Sequence, residues 1–272
     1  MKRHVYDFLL VLVLLAGLSL LLYPSVADLW NSMHQSRAIA TYADTVAGLD
    51  KISYDDVWAA ARAYNRGLIT REDRFFMSDE ERAEYEALLN VTHQGVMGYI
   101  EIPKLGERVP IYHGTDEAVL QIAVGHIEGS SLPVGGKGTH CVLSGHRGLP
   151  SAELFTNIDQ LTEGDLFQLY ILDEVLTYEV DQILVVLPGE IDALAIDEAQ
   201  DLCTLVTCTP YGVNSHRLLV RGHRVATPET PREVHITNGA RQIQREYVAL
   251  AVGVPLALIL MLLMLLVWPR RR

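Results

Sequence analysis

The sequence has few basic residues for its length. Lys and Arg number 22 against 34 Asp and Glu in 272 residues, so the formal net charge is -12. A nucleic-acid-binding protein needs a basic surface that neutralises phosphates, and this composition therefore argues against nucleic acid as a partner. The acidic balance is typical of a soluble surface and identifies no partner by itself.

Cysteine is equally scarce, with only Cys141, Cys203 and Cys208 in the whole chain. An odd count leaves at least one thiol unpaired, and the dense spacing of a disulfide-rich domain is absent. If Cys203 and Cys208 share a strand, their separation of five places them on opposite faces. We interpret Cys141 and Cys203 as small buried residues. Because no Cys-x-x-Cys or His-x-x-x-His spacing occurs, we predict no metal site.

Long apolar runs are absent from the middle of the chain and occur only towards its ends. Residues 8–22 are almost wholly aliphatic and follow Lys2 and Arg3, whereas residues 247–268 carry no charge and precede three arginines. At about 1.5 Å per residue the second run reaches roughly 33 Å, which is enough to cross a bilayer. Both basic clusters lie towards the chain ends, so the positive-inside rule places them in the cytoplasm and everything between them outside.

These runs define the outer segments of the chain. We predict a membrane anchor or signal-anchor at residues 1–27, a transmembrane helix at 247–268 and a cytoplasmic basic tail at 269–272. Alternatively, the N-terminal segment is a cleaved signal peptide, since Ser25-Val26-Ala27 offers small residues for cleavage. Either reading leaves the middle of the protein exported.

Between the anchors the periodicity changes from helical to strand-like. Residues 28–92 have apolar residues at helical spacing and a capping box at Ser78-Asp79-Glu80-Glu81, which predicts an extracytoplasmic helical segment. Residues 93–226 contain strand candidates separated by Gly and Pro turns, and this pattern favours a closed β-barrel of seven or eight strands. The candidates are residues 99–102, 109–112, 140–144, 166–172, 176–186, 202–208 and 217–225. Residues 227–246 read as a linker to the second membrane segment.

Two stretches carry reactive side chains. "TLVTC" at 204–208 is a strand that ends on Cys208, and "SGHRGLP" at 144–150 places His146 on a loop after another strand. A nucleophilic thiol needs an imidazole or a cation nearby, because free cysteine is only slightly ionised near neutral pH. Arg217 opens the strand after Cys208 and suits an oxyanion, so acyl transfer is the chemistry these three residues favour.

Less specific interpretations compete with that one. Histidines are more often structural than catalytic, and we interpret five others as structural: His113, His126, His140, His216 and His223. A non-catalytic membrane receptor would need none of Cys208, His146 and Arg217. Replacement of Cys208 by alanine distinguishes the two readings, because only an enzyme would lose acyl transfer.

The motifs together resemble those of the sortases, membrane-anchored cysteine transpeptidases of Gram-positive bacteria. The family has a Thr-Leu-x-Thr-Cys strand end, a Gly-His on an earlier strand end and an arginine on the strand after the cysteine, all present here in that order. "GHIEGSSLPVGG", "SGHRGLP", "TCTP" and "NSHRLLVRGHR" look like the class C, pilin-polymerising branch. The resemblance covers about residues 64–225 and implies an eight-stranded sortase-type barrel.

The resemblance also implies a reaction. Cys208 would attack the Thr-Gly bond of a sorting signal similar to Leu-Pro-x-Thr-Gly and form a thioacyl enzyme, with His146 as acid and base. Arg217, helped by Thr207, would hold the oxyanion or the peptide. The acceptor in class C is a lysine amine of the next pilin subunit, and the resemblance implies no cofactor. The rival within the family is a sortase that attaches single surface proteins to peptidoglycan.

Class C sortases also have a lid with an Asp-Pro-aromatic motif, and here the sequence departs from the pattern. The matching stretch, about residues 70–77, has Asp73-Arg74-Phe75, so Arg74 replaces the proline. Because Arg74 does not fix φ as proline would, we expect a lid that opens more readily. We expect Asp73 to be held by a cation near the site, such as Arg217, and Phe75 to fill the peptide groove. The alternative is that Phe75 and Phe76 only dock the helical segment on the barrel.

Overall fold

The computed structural model describes residues 2–71 and 73–228, together with positions 255, 258, 259 and 262. Apart from its first two residues, the predicted linker lies outside the described residues. The same is true of the predicted C-terminal transmembrane helix, four isolated positions excepted, and of the basic tail.

Four helices precede or interrupt the barrel: α1 (Lys2–Ala47), α2 (Lys51–Leu68), α3 (Asp79–Ala87) and the single turn α4 (Glu117–Leu120). The segment of α1 from Leu12 onward is long and apolar enough to cross a membrane. α3 begins at the predicted capping box, in which the Ser78 hydroxyl accepts from the Glu81 amide and the Glu81 carboxylate accepts from the Ser78 amide. The helical interpretation of residues 28–92 therefore agrees with the described structure.

Eight strands form a closed barrel in the order β1-β2-β3-β4-β7-β8-β6-β5. The strands are β1 (Val96–Ile102), β2 (Glu107–His113), β3 (Val124–His126), β4 (Thr139–Ser144), β5 (Leu166–Ile171), β6 (Glu174–Val186), β7 (Asp201–Thr209) and β8 (His216–Val225). The pairs β2–β3 and β4–β7 are parallel, and the other pairs are antiparallel. The predicted eight-stranded barrel is confirmed.

The strand missing from the sequence-based candidates is β3. It has three residues, too few for an alternating pattern, and its central Gly125 contributes no β-propensity. A Cβ on Gly125 would lie 2.2 Å from the carbonyl oxygen of Gly114, so the neighbouring chain passes directly over this position. The glycine in this strand is explained by the close approach of the backbone at Gly114, and the sequence pattern alone does not reveal the strand.

Side chains alternate between the barrel interior and an outer face along β7 and β8. Cys203, Leu205 and Val220 belong to the interior core, whereas Val206 and Leu219 belong to a smaller apolar cluster outside it. Since Cys208 is two residues from Val206, it shares the outer face. The predicted opposition of Cys203 and Cys208 agrees with their burial: Cys203 is buried and Cys208 is partly exposed.

α1 runs along the barrel from the end that carries Cys208 to the opposite end. Near the Cys208 end, the Asn31 amide donates to the Ser151 carbonyl at 2.8 Å and the Gln35 amide donates to the Ile122 carbonyl at 2.7 Å. Nearer the opposite end, the Tyr42 hydroxyl donates to the Met97 carbonyl at 2.8 Å. The residues of α1 that precede Asn31 therefore project beyond the Cys208 end.

Candidate active site

Cys208 and Arg217 face each other across the β7–β8 hairpin. The antiparallel register pairs them directly, with the next pair formed by Thr207 and Leu218. The Arg217 guanidinium donates to the carbonyls of Asn214 at 3.3 Å and His216 at 3.1 Å. The turn carbonyls thus hold the guanidinium on the loop that closes the hairpin.

His146 reaches this end of the barrel through β4, which lies parallel to β7. Ser144 is paired with Val206, and the Gly145 amide continues the ladder with a bond of 3.0 Å to the Val206 carbonyl. His146 follows at once and is partly buried. A Cβ on Gly145 would lie 2.8 Å from the Phe155 ring, so glycine lets this ring pack directly against the backbone that precedes His146.

Thr207 fixes that turn from the neighbouring strand. Its hydroxyl donates to the Gly145 carbonyl at 2.7 Å, and the residue is only 2% exposed. The structure therefore shows Thr207 as a link between the strand of Cys208 and the loop of His146. The oxyanion-supporting role inferred from the resemblance stays a prediction.

Arg147 is a second link that the sequence analysis did not single out. Its guanidinium forms an ion pair with Asp159, donates to the Thr209 hydroxyl at 3.3 Å and lies 6.0 Å from the centroid of the Tyr211 ring. These contacts join the loop after β4 to the residue that follows Cys208. The adjacency of Arg147 to His146 was the only signal in the sequence.

A groove of about 430 Å³ lies on the outer face of β7 and β8 beside the reactive pair. Its floor includes Val206 and Leu219. Val206 lies two residues before Cys208 and Leu219 two residues after Arg217, on the same face of the sheet. Arg217 itself also lines the groove. Other lining residues include Ser144, Ile127, Val186 and Leu194. The groove has an apolar floor and charged residues on its rim, among them Arg82, Glu128 and Glu190, and this combination suits an extended peptide.

The predicted lid segment lies on this groove. Phe75 packs against the outer cluster of Val142, Leu194, Val206 and Leu219. The Arg74 guanidinium, in a residue 7% exposed, donates to the Gly129 carbonyl at 3.0 Å and to the Leu194 carbonyl at 2.7 Å. Desolvation by burial lowers the pKa of Arg74 from its usual value. Arg74 thus attaches the segment to both sides of the groove.

Asp73 and Phe76 differ from the expectations drawn from the sequence. Asp73 pairs with Arg71 at 3.4 Å rather than with Arg217, and its side chain is 76% exposed. Phe76 is 81% exposed and does not dock the segment on the barrel. Arg71 also binds Glu81 at 2.7 Å, which ties the start of the lid to the first turn of α3.

The other cysteines and several histidines have structural surroundings. Cys141 and Cys203 are paired on β4 and β7 and both are buried. Burial raises the pKa of the Cys203 thiol well above its usual value, so this thiol is neutral. The His113 ring nitrogens contact the carbonyls of Gly95 and Leu88, and those of His140 contact the Ala195 carbonyl and the Thr204 hydroxyl.

Comparison with known proteins agrees with the resemblance seen in the sequence. A sortase domain model matches residues 100–225. Sortase C1 from Streptococcus agalactiae is 50% identical, with 70% of this chain and 99% of that chain covered and a TM-score of 0.69. Sortase C from Clostridium perfringens, solved with a C-terminal cell wall sorting motif, is 44% identical over 71% of this chain and 100% of that one, with a TM-score of 0.63.

Two characterised sequences are more distant relatives. Sortase D from Bacillus subtilis is 30% identical over 131 residues, which are 47% of this chain and 63% of that protein. Sortase A from Bacillus anthracis is also 30% identical, and 61% of its length is covered. The match therefore spans less than two thirds of either protein.

Proposed function

The chain belongs to the sortase family, and from that premise we propose that it is a cysteine transpeptidase of the class C type with Cys208 as its nucleophile. The observation that carries the proposal is the convergence of three residues on one barrel end. Cys208 is paired with Arg217. His146 follows Gly145, which is hydrogen-bonded to Val206 and Thr207 on the strand of Cys208. Structural relatives that include sortase C enzymes support the class.

The first half-reaction is acylation of Cys208. The thiolate attacks the carbonyl carbon of Thr in a sorting signal similar to Leu-Pro-x-Thr-Gly, and the charge that develops on the carbonyl oxygen is stabilised by Arg217. The Thr-Gly bond then breaks. His146 gives its proton to the leaving amine of Gly, and a thioester to Cys208 remains.

The second half-reaction transfers the acyl group to an amine. A neutral amine attacks the thioester, His146, now neutral, takes the proton that the attacking nitrogen loses, and Cys208 leaves as thiolate. In a pilin-polymerising enzyme the amine is a lysine side chain of the next pilin, and the product is an isopeptide bond. No cofactor takes part in either half-reaction.

The same proposal places the enzyme at the cell membrane. The apolar part of α1 anchors the chain, the barrel lies outside the cell, and both termini lie in the cytoplasm. Its partners are pilin or surface-protein substrates with a sorting signal. The length and apolar character of α1 and the charge distribution of the sequence support this arrangement.

The test is to trap the thioacyl enzyme. Full-length protein in detergent is incubated with a sorting-signal peptide and analysed by peptide mass spectrometry. We expect an adduct on Cys208, with Cys141→Ala and Cys203→Ala variants retaining most of the acylation rate. An adduct on either buried cysteine would contradict the assignment.

The acceptor is tested on the trapped enzyme. A pilin domain that contains lysine is compared with a cell-wall peptide amine at equal concentration. An isopeptide product with the pilin supports polymerisation. A product with the wall amine alone would instead identify a sortase that attaches single proteins.

A further inference from the structure

The position of the barrel relative to a membrane follows from α1. Residues 8–27 contain no charged residue and, at about 1.5 Å per residue, span about 30 Å, the thickness of the hydrocarbon core. Asn31 lies one helical turn beyond Ala27, roughly 6 Å along the axis, and already donates to the Ser151 carbonyl. The barrel therefore begins within about one helical turn of the apolar stretch.

A continuous line of contacts leads from that point to the nucleophile. Gly148 lies three residues before Ser151, and a Cβ on it would lie 2.6 Å from the Tyr211 ring. Tyr211 follows Cys208 by three residues in the loop between β7 and β8. Ser151, Gly148, Tyr211 and Cys208 thus belong to one end of the barrel, the end from which the apolar part of α1 projects.

This end exposes apolar and aromatic side chains. Tyr211 is 62% exposed, Val213 71%, Trp30 61% and Ile122 40%. Trp and Tyr are enriched at membrane–water interfaces, where the ring is shielded from water and the polar group stays hydrated. Exposed apolar groups mark contact surfaces, and beside a helix that is long and apolar enough to cross a membrane the contact that fits them is lipid.

A cavity between α1 and the barrel supports the same placement. It has about 620 Å³ and is lined by Leu22, Tyr23 and Val26 of α1 and by Ser151 of the barrel. Leu22 belongs to the uncharged stretch that the membrane surrounds. Ser151 therefore lies close to lipid. Because the cavity is lined mostly by apolar residues of α1, phospholipid of the outer leaflet is the occupant that fits it.

We propose that the end of the barrel that carries Cys208 rests on the outer surface of the membrane, with Tyr211 and Val213 in the interfacial layer of phospholipid. The proposal rests on the anchoring of α1 proposed above but not on the chemistry of Cys208. Its consequence is that a substrate held in the same membrane presents its cleavage site at the level of the thiol. The groove beside Val206 is then entered along the membrane surface.

The experiment measures lipid contact at Val213. The full chain carries Cys208→Ala to remove the exposed thiol and Val213→Cys to accept an environment-sensitive nitrobenzoxadiazole label, while the buried Cys141 and Cys203 stay unlabelled. Ile52→Cys in the same background is the matched control. Ile52 is 76% exposed at the start of α2, and the part of α1 after Ala27 carries it about 30 Å from the apolar stretch.

Both proteins are reconstituted in phosphatidylcholine–phosphatidylglycerol vesicles with or without nitroxide-labelled lipid. We expect a blue-shifted emission and strong quenching at position 213, and an unshifted, unquenched label at position 52. An unquenched label at position 213, or equal quenching at both positions, would overturn the proposal. Because Cys208 is absent from both proteins, the result is independent of thioacyl formation, which tests the proposed function separately.

Discussion

The backbone of Arg74 lies directly on Gly129. A Cβ on Gly129 would be 2.1 Å from the Arg74 carbonyl oxygen, and the Arg74 guanidinium donates to the Gly129 carbonyl at 3.0 Å. The two residues form a close backbone contact and a hydrogen bond at the same place. The lid is therefore attached by the residue that replaces the proline of the related motif.

The first prediction is that Arg74 keeps the groove covered. Arg74→Ala removes two hydrogen bonds from a charged donor, each worth about 1.5–3 kcal/mol, so the open lid should gain population about a hundredfold or more. The rate at which a small thiol reagent modifies Cys208 should rise by that factor. Phe75→Ala, which removes the apolar contact with Val206 and Leu219, should act in the same direction.

Two further variants distinguish opening of the lid from a general loss of structure around Cys208. Gly129→Ala should raise the labelling rate as Arg74→Ala does, because its Cβ cannot coexist with the seated backbone. Asp73→Ala is the matched control and should leave the rate unchanged, since Asp73 is exposed and contacts Arg71. Unchanged labelling in Arg74→Ala and Phe75→Ala would show that the segment does not cover Cys208.

The second prediction concerns the charged partners of Cys208. His146→Ala and Arg217→Ala should each lower the acylation rate by roughly two orders of magnitude or more, because each removes a proton carrier or an oxyanion donor. His216→Ala and Arg221→Ala change the same residue types nearby on β8 and should retain the rate. Circular dichroism checks the fold. A near-normal rate in His146→Ala would remove this histidine from the mechanism.

The third prediction is a loss of stability in mild acid caused by His140. The Ala195 carbonyl can only accept, so Nδ1 carries the proton and Nε2 accepts from the Thr204 hydroxyl. Burial, opposed by the bond to Ala195 and assisted by Arg74 and Arg221, lowers the pKa of His140 from 6.5 to about 4. The unfolded chain therefore binds a proton between about pH 6.5 and 4 that the folded protein does not, and stability falls as pH falls through that window.

The pKa shift of His140 sets an upper limit on the loss of stability in acid. A difference of about 2.5 pH units corresponds to roughly 3 kcal/mol at most, which should appear as a lower urea midpoint at pH 4 than at pH 7. His140→Gln, which cannot titrate, should show a smaller difference between the two pH values. The interpretation is wrong if the variant and the wild type lose the same stability.

The fourth prediction is that Tyr42 attaches α1 to the barrel through its hydroxyl. That hydroxyl donates to the Met97 carbonyl at 2.8 Å and accepts from the Leu172 amide at 2.7 Å, and Tyr42 is 1% exposed. Tyr42→Phe leaves both backbone groups buried without this partner and should lower the free energy of unfolding by about 1–3 kcal/mol. Tyr23→Phe, on the exposed part of the same helix, should have no measurable effect. Urea denaturation in detergent compares the two.

Local pattern determined a large part of this protein. The alternation and turn residues of residues 93–226 predicted seven of the eight strands, because side chains on one face of a strand must be buried together. The capping box of α3 was readable because its two hydrogen bonds join residues three apart. Cys208, His146 and Arg217 were selected from residue type, strand ends and resemblance, all of which are properties of short stretches.

Tertiary structure decided what depends on residues distant in the sequence. Arg74 looked like a loss of restraint because its partners, Gly129 and Leu194, lie 55 and 120 residues away. Thr207 binds Gly145 only because β4 and β7 are parallel neighbours. The chemistry of a side chain can be read from the sequence. The residue that it contacts is determined by the closure of the barrel and by the path of α1 along it.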